Sequence, residues 1–190
     1  LLVAQLNNQN PLEPQGNGEF IAQLAQFSTV EGVDKLNTSM ESMLSGYQSS
    51  QALQASSLVG RKVIIPTDKA VVDTSETFKA SLVLPATSGN VYVNVYDSAG
   101  STVSRVNLGQ QEAGNVSFMW DGKDASGNTL PPGTYKFEAQ ATYGTETKAL
   151  YTMLPANVDS VTLGQSGGEL MLNLAGLGSI GLSKIQVIGQ

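Results

Sequence analysis

Cysteine and histidine are both absent from this sequence of 190 residues. Without cysteine the chain can form no disulfide, no thiolate nucleophile and no cysteine-ligated metal site. Without histidine it has no imidazole general base, no Ser-His-Asp triad and no ordinary zinc site. An enzyme made from this sequence would have to use carboxylate pairs, lysine or an oxygen-ligated metal. We therefore predict a protein that is not an enzyme, with no catalytic residues and no cofactor.

Charge is also scarce, since only 14% of the residues are charged, against about 25% in average globular chains. The net charge is −6, and the ten basic residues are scattered, which argues against nucleic acid as a partner. The chain has no apolar run of about 20 residues, so we expect no membrane insertion. Its start, LLVAQLNNQN, lacks the features of a signal peptide. It also lacks an initiator Met, and we expect the native N terminus to be longer.

Residues 1–57 predict two helices and no strand. The apolar segment LLVAQL predicts a short helix that cannot continue through Pro11 and Pro14. A second helix of about 35–40 residues begins near Asn17, because apolar residues then recur at steps of three or four. These steps predict an apolar seam along one helix face, formed by Phe20, Leu24, Phe27, Val30, Val33, Leu36, Met40, Leu44 and Tyr47.

The apolar seam needs a partner that covers it, because its own segment has nothing broad enough to do so. The short first helix, another subunit, another protein and the remainder of this chain are all open alternatives. Gly32 and Gly46 each destabilise the helix by about 1 kcal/mol relative to alanine. We therefore expect the helix to be marginal alone and to become ordered on assembly.

From Leu58 onward the sequence is typical of strands separated by turns. Within residues 76–153, apolar and polar residues alternate, which predicts an antiparallel sandwich of the immunoglobulin or fibronectin type III kind. The flanking segments 58–75 and 154–190 are too short to bury cores of their own. We expect these two segments to join into one small barrel, with the sandwich inserted between them in the sequence. A helical region at 1–57 precedes both.

The loop WDGKDASGNTLPPGTY, from Trp120 to Tyr135, gathers side-chain oxygens around glycines and is therefore a candidate ligand site. As a calcium loop it fails, because Lys123 falls on a ligand position or the glycine is misplaced. As turns it fits better: Asp124–Gly127 suits a type I turn, and Pro132-Gly133 suits a type II turn. The pattern D-x-x-G-x-T-apolar also occurs at Asp97, which indicates a reusable hairpin turn. We assign a structural role to Trp120, Asp121, Gly122, Gly127, Pro132, Gly133 and Tyr135.

Several blocks of the sequence resemble one known family. LLVAQLNNQNPLEP, followed by EFIAQLAQFSTVEGVDKLN at 19–37, is similar to the N-terminal motif of the flagellar hook-capping proteins, the FlgD family. SLVGRKV at 57–63 and the Trp-Asp-Gly loop resemble later blocks of that family, so the resemblance covers nearly the whole chain in order. One departure is Asn10, where many members have Asp. Asn can serve the same capping role before Pro11.

The resemblance implies a scaffold. Members of the family form an oligomeric cap, described as pentameric, at the tip of the growing hook, and hook subunits fold and insert beneath it. They leave the cytoplasm through the flagellar type III export apparatus and are absent from the finished flagellum. The resemblance also implies a Tudor-like barrel interrupted by a fibronectin-type domain, where "Tudor-like" describes a shape and no binding activity.

The resemblance and the apolar seam together place the functional contacts in the N-terminal region. We expect oligomer or hook contacts from Gln5, Leu6, Phe20, Leu24, Phe27, Val30, Val33, Leu36 and Met40. An alternative function is a secreted, immunoglobulin-like adhesive or carbohydrate-binding module, which would bind glycans through residues 76–153 alone. A third class, a carboxylate enzyme, would have to depend on a residue such as Asp121.

Overall fold

A computed structural model describes residues 15–164, 168–185 and 187–188. Within these residues the chain forms one long helix followed by eleven strands. The chain divides into two compact units, the first ending at Ser49 and the second beginning at Ser50. The predicted short helix at LLVAQL, with Gln5 and Leu6, lies outside the described residues.

The long helix, α1, spans Gln15–Ser56 without a break. The segment contains no proline, and Gln, Ala and Leu, which favour helices, recur along it. Lys35 lies 2.7 Å from Glu31 one turn earlier, an exposed pair that contributes about 0.3–0.5 kcal/mol. Neither end of the helix carries the charges that would favour the helix dipole.

The strands that follow α1 are all joined by antiparallel pairing. Their bounds are β1 Lys62–Pro66, β2 Lys69–Val72, β3 Phe78–Leu84, β4 Ser88–Tyr96, β5 Thr102–Gln111, β6 Gly114–Trp120, β7 Gly133–Tyr143, β8 Glu146–Thr162, β9 Met171–Leu174, β10 Gly178–Gly181 and β11 Val187–Ile188. A short 3-10 helix, Leu182–Lys184, precedes β11.

The larger of two hydrophobic cores lies in the immunoglobulin-like sandwich. One set of strands runs β2-β7-β4-β5, and the other joins β6, β3 and the middle of β8. Alternate side chains of β4 and β7 point inward, as the sequence predicts. Phe137 is at the centre, with its ring centroid 4.7 Å from that of Phe78 and 6.1 Å from that of Phe118.

The smaller core lies under the barrel-like part of the sheet. There β1 pairs with β8 and β11, while β9 pairs with β8 and β10. Its buried members are Leu58, Val63, Ile65, Ala156, Val158, Leu172 and Leu174. The predicted fold class is confirmed: a mainly β chain in which a long N-terminal helix precedes, in the sequence, an immunoglobulin-like sandwich and a barrel-like sheet.

The strand β8 belongs to both cores. It pairs with β7 at its start, with β3 near its middle, and with β1 and β9 along its second half. Leu154 is buried in the larger core, whereas Ala156 and Val158, two and four residues later, are buried in the smaller one. The 17 residues of this single strand therefore carry the chain from one core to the other.

The structure places β2 differently from the sequence analysis, which assigned all of 58–75 to the barrel. Strand β2 pairs with β7, and Ala70 and Val72 are buried in the larger core. In addition, the backbone N–H of Phe137 donates to the carbonyl of Asp68 at 2.7 Å. A strand of four residues carries too few side chains for its pattern to show which core it enters. The other domain boundaries stay predictions.

We predict that truncating the smaller core also destabilises the larger one, because β8 joins them. Leu172→Ala removes a side chain that is 0% exposed and should lower the free energy of unfolding by about 2–5 kcal/mol. Urea unfolding followed by fluorescence of Trp120, which is buried in the larger core, should report this loss at the same midpoint as circular dichroism.

The control for this prediction is Leu163→Ala, at a leucine that is 54% exposed and whose loss should cost less than about 0.5 kcal/mol. If the Trp120 transition kept its wild-type midpoint in Leu172→Ala while circular dichroism showed earlier unfolding, the two cores would be independent.

Candidate functional site

The loop from Trp120 to Tyr135 is held by its own aromatic anchors. Trp120 is 2% exposed, and its indole N–H donates to the carbonyl of Lys123 at 3.0 Å. Its ring meets that of Tyr135 edge-on, with 4.9 Å between centroids. The Tyr135 hydroxyl donates to the carbonyl of Pro131 at 2.6 Å. Burial raises the pKa of Tyr135, and the charge of Asp97 raises it further.

The carboxylates of this loop accept hydrogen bonds from the loop's own backbone. Asp121 accepts from the N–H of Lys123 at 3.1 Å. Asp124 Oδ1 accepts from the N–H groups of Ser126 and Asn128, both at 2.9 Å. The hydrogen bonds from the Asn128 backbone and side chain lower the pKa of Asp124. Across residues 15–164, 168–185 and 187–188, no three acidic side chains lie together as metal ligands would.

The same turn is built twice in the molecule. At Asp97, Oδ1 accepts from the N–H groups of residues 99 and 101, as Asp124 does for residues 126 and 128. The fourth residue is glycine in both turns, with φ of +82° at Gly100 and +86° at Gly127. The repeated pattern therefore makes a structural turn, as the sequence predicts.

The other turn predicted in this loop, a type II turn at Pro132-Gly133, is wrong. A type II turn requires positive φ at its second central residue, but Gly133 does not adopt one. It is the first residue of β7 and lies opposite Val72 of β2. Pairing with this neighbouring strand holds the backbone extended, which the local sequence does not reveal.

Gly122 is required by a close approach between two segments of the chain. Its φ is +74°, and a methyl group there would lie 2.7 Å from the carbonyl oxygen of Thr74. Thr74 is buried, and its hydroxyl donates to the carbonyl of Leu130 at 2.6 Å. The Trp-Asp-Gly motif therefore brings the segment after β2 into close contact with the loop before β7.

The helix α1 has a different character, because its apolar side chains are exposed. Every residue from Gly18 to Tyr47 is exposed, including Phe27 at 72% and Met40 at 69%. Within the described parts of the chain, no helix has both the length and the apolar content needed to cross a membrane. The exposed apolar surface of α1 is therefore the candidate functional site.

The apolar residues of α1 do not form the single-faced seam that the sequence analysis predicts. From Phe20 to Tyr47 the seam takes eight steps over 27 residues, a mean of about 3.4 residues, whereas an α-helix has 3.6 per turn. Because α1 is one unbroken α-helix, this difference accumulates to about half a turn. Phe20, Leu24 and Phe27 therefore lie on the opposite side of the helix from Met40 and Tyr47.

Sequence reasoning missed several exposed apolar residues. Ile21 and Met43 of α1 lie off the predicted seam and are both exposed. Met119 and Tyr151 project from β6 and β8 on the β part of the chain, with Tyr151 81% exposed. Their signal is an apolar residue at an outward position of an alternating strand, which is visible only once the buried positions are known.

These observations define a class of protein. A helix of 42 residues with exposed apolar side chains and a β part with two cores are features of a scaffold that contacts other chains. The aromatic side chains of the Trp120 loop, Trp120 and Tyr135, lie in the larger core of that β part.

Comparison with known proteins agrees with this class. Residues 1–42 match the N-terminal region of the flagellar hook capping protein family, and residues 67–145 match the FlgD immunoglobulin-like domain. The basal-body rod modification protein FlgD of Salmonella typhimurium is 35% identical over 199 residues, covering 100% of this chain and 83% of that protein. The Escherichia coli protein of the same name is 37% identical over 185 residues, covering 93% and 79%.

Solved structures of FlgD proteins are also similar to this chain. FlgD from P. aeruginosa is 72% identical, with a TM-score of 0.66 over 70% of this chain and 98% of that one. FlgD from Xanthomonas campestris is 34% identical, with a TM-score of 0.62 over 73% and 99%. This chain belongs to the FlgD family of flagellar hook-capping proteins. None of these relatives supports the alternative of an adhesive or carbohydrate-binding module.

We predict that alanine is tolerated far less well at Gly122 than at Gly127, although both have positive φ. Gly127→Ala has open space and should cost about 1–2 kcal/mol for the left-handed backbone. Gly122→Ala meets the Thr74 backbone and should cost about 1–3 kcal/mol more. Chemical unfolding of both variants measures the difference, and equal losses would mean that the close approach is unimportant.

We also predict an acid-dependent contribution from Asp124. Because its folded-state pKa is lowered, the charged carboxylate stabilises the fold above its unfolded pKa of about 3.9, and this stability is lost as the pH falls through the folded pKa. Asp124→Asn should therefore be less stable than wild type at pH 7, with a smaller difference at pH 3. Urea midpoints at both pH values test this, and a constant difference would contradict it.

Proposed function

We propose that this chain caps the tip of the growing flagellar hook and assists the folding and insertion of hook subunits, without being an enzyme. The observation that carries this proposal is the match of residues 1–42 to the hook-capping N-terminal region, which overlaps the exposed apolar part of α1. The FlgD structure from Xanthomonas campestris is described as giving insights into hook capping essential for flagellar assembly.

The exposed side chains of α1 support a role in assembly. Burying one large apolar side chain contributes about 1.5–3 kcal/mol, and α1 exposes many of them. A partner that covers only a few of these side chains would therefore gain a stabilising contact. We assign this role to the predicted contact residues of α1: Phe20, Leu24, Phe27, Val30, Val33, Leu36 and Met40, with Gln5 and Leu6 outside the described residues.

The proposed partners are further copies of the chain, in a pentameric cap, and the flagellar hook protein. The proposed route runs from the cytoplasm through the flagellar type III export apparatus to the hook tip, with no contact to nucleic acid and no membrane insertion. The low stability expected of α1 alone would ease its passage through a narrow channel. The lack of cysteine excludes wrong disulfides during export.

We predict that cells whose only copy lacks residues 1–57 will not swim and will not assemble hooks. Phe27→Asp, at an exposed residue of α1, separates export from capping: the variant should reach the culture medium, yet hook growth should be impaired. Swimming in soft agar, hook length by electron microscopy and immunoblots of the medium measure these outcomes.

Ser45→Asp is the control for this experiment, because it adds the same charge to an exposed residue of α1 that is not apolar. It should leave swimming intact. Normal hooks assembled by the truncated chain would refute the proposed function.

A further inference from the structure

The sheet edges of the β part differ in how they are protected. Within residues 15–164, 168–185 and 187–188, five strands pair with a single neighbouring strand: β2, β5, β6, β10 and β11. Each of them therefore has one edge without a partner strand. An open edge presents unpaired backbone N–H and C=O groups to other chains, and folded proteins usually protect it by shortening, bending, charging or covering the strand.

Three of these edges are protected because their strands are short. The strands β10 and β11 have four and two residues. The strand β2 also has only four residues, and the hydroxyl of Thr67 accepts a hydrogen bond from the backbone N–H of Lys69 at 3.3 Å. An additional strand would therefore find little free backbone on β2, β10 or β11.

The edge of β5 is longer but interrupted. Its register with β4 shifts at three places, and such shifts bend a strand and disrupt its ladder. The backbone N–H of Ala125 donates to the carbonyl of Val103 at 3.1 Å, so the Trp120 loop already occupies a backbone group of this strand. Arg105 adds a charge, with its guanidinium carbon 3.5 Å from the centre of the Tyr92 ring. These features oppose pairing along β5.

The edge of β6 has none of these protections. Its seven residues, GNVSFMW, include neither a charged residue nor a proline, and they pair with β3 from the first to the last without a register shift. Among the described residues, no side chain and no turn is hydrogen-bonded to the backbone of β6 in the way that Thr67 and Ala125 are to β2 and β5. The strand β6 is therefore a regular, open edge about 23 Å long.

The side chains of β6 hold the strand in place and leave its edge accessible. Alternate residues, among them Phe118 at 2% exposed, are buried in the larger core. The residues between them are exposed, with Met119 at 60%. A strand added beside β6 would place its own alternate side chains next to Met119 on the outer face, where apolar ones would bury surface from water.

The chemistry of this edge selects its occupant. Backbone N–H and C=O groups are complemented by those of an extended chain, and the main-chain hydrogen bonds supply the affinity. A folded protein protects its own edges, whereas an unfolded chain exposes backbone groups along its whole length. Because β6 is uncharged and is flanked by Glu112 and Asp121, a segment with acidic side chains fits less well than an uncharged one.

A second copy of this chain fits the edge less well than an unfolded chain does. The open edge of that copy would again be β6, so the two copies would meet through the same strand, and a contact of this kind closes a pair. The pair would not extend to a larger assembly, and it would leave β6 closed to every other chain.

We propose that the open edge of β6 binds an extended, uncharged segment of a polypeptide that has not yet folded, which adds to the sheet as a further strand. This inference deepens the proposed function and rests on it, since the segment belongs to a hook subunit that folds beneath the cap. Backbone pairing accepts many sequences, so different segments can be held in turn. No charged group of β6 holds the segment, and it leaves once its own chain offers a better-matched strand.

The first test measures the binding of a labelled peptide to the full chain. The probe is a fluorescein-labelled peptide of alternating threonine and valine, as long as β6. Its control is the same peptide with every backbone nitrogen methylated. Fluorescence anisotropy should show saturable binding of the probe and binding weaker by about tenfold or more for the control, because methylation removes the N–H donors of several hydrogen bonds.

Two matched lysine variants locate the site. Ser117→Lys places a charge at an exposed position of β6, and lysine on an edge strand opposes pairing. It should weaken peptide binding by about fivefold, the effect of one unfavourable cross-strand pair. Asn107→Lys adds the same charge at an exposed position of β5 and should bind the peptide as the wild type does. Trp120 fluorescence should confirm that both variants are folded.

Hydrogen exchange gives a second measurement on the same complex. An added strand forms hydrogen bonds with the backbone of β6, so the peptide should slow the exchange of amides in residues 114–120. The amides of β5, residues 102–111, should exchange at the same rate with and without the peptide.

Three results would overturn the inference. In the first, the wild-type chain does not bind the peptide or binds the methylated peptide equally well. In the second, Asn107→Lys weakens binding as strongly as Ser117→Lys. In the third, the slowed amides lie in α1 or β5, or those of β6 are already protected without peptide by a concentration-dependent pair of copies. These outcomes leave the proposed function standing as long as cells lacking residues 1–57 make no hooks. Normal hooks in such cells would refute the function whether or not β6 binds the peptide.

Discussion

The β part of the protein depends on the continuity of one strand, β8, from Glu146 to Thr162. An antiparallel strand has two hydrogen-bonding edges, and four partner strands share the edges of β8 along its length. Leu154 is buried in the larger core and Val158 in the smaller one. Because the backbone between them is extended and paired, the sandwich and the barrel-like sheet cannot separate without breaking hydrogen bonds in this strand.

The residues that directly follow α1 contact the same strand. Leu58 is buried in the smaller core together with Val158. The N–H of Gly60 donates to the carbonyl of Val158 at 2.9 Å, and the N–H of Val158 donates to the carbonyl of Arg61 at 3.0 Å. Gly60, four residues after the end of α1, has a φ of +81°, which lets the chain turn there towards β1. The segment directly after α1 is therefore attached to the strand that both cores share.

Much of this architecture can be predicted from the sequence. Two features cannot: the long-range strand pairing at Gly133 and the direction of the apolar side chains around α1. The alternation around Phe137 predicts a strand correctly, because burial on one face of a sheet imposes a period of two. The pairing of Gly133 with Val72 is invisible locally, since it depends on a strand about 60 residues earlier in the chain. The direction of the apolar side chains on α1 is lost for another reason. Steps of three and of four each resemble a helical period, and only their sum shows the drift around the axis.

The surface chemistry of α1 suits contacts that form at short range. Charges attract over roughly 8–10 Å at physiological ionic strength, whereas apolar burial stabilises only surfaces already in contact. The helix has few charges, and several of its hydroxyls, such as those of Thr38 and Ser42, are bonded to carbonyls one turn earlier. Such a surface neither steers a partner from a distance nor holds it through charged hydrogen bonds. Binding strength then depends on how many apolar side chains a partner covers at once.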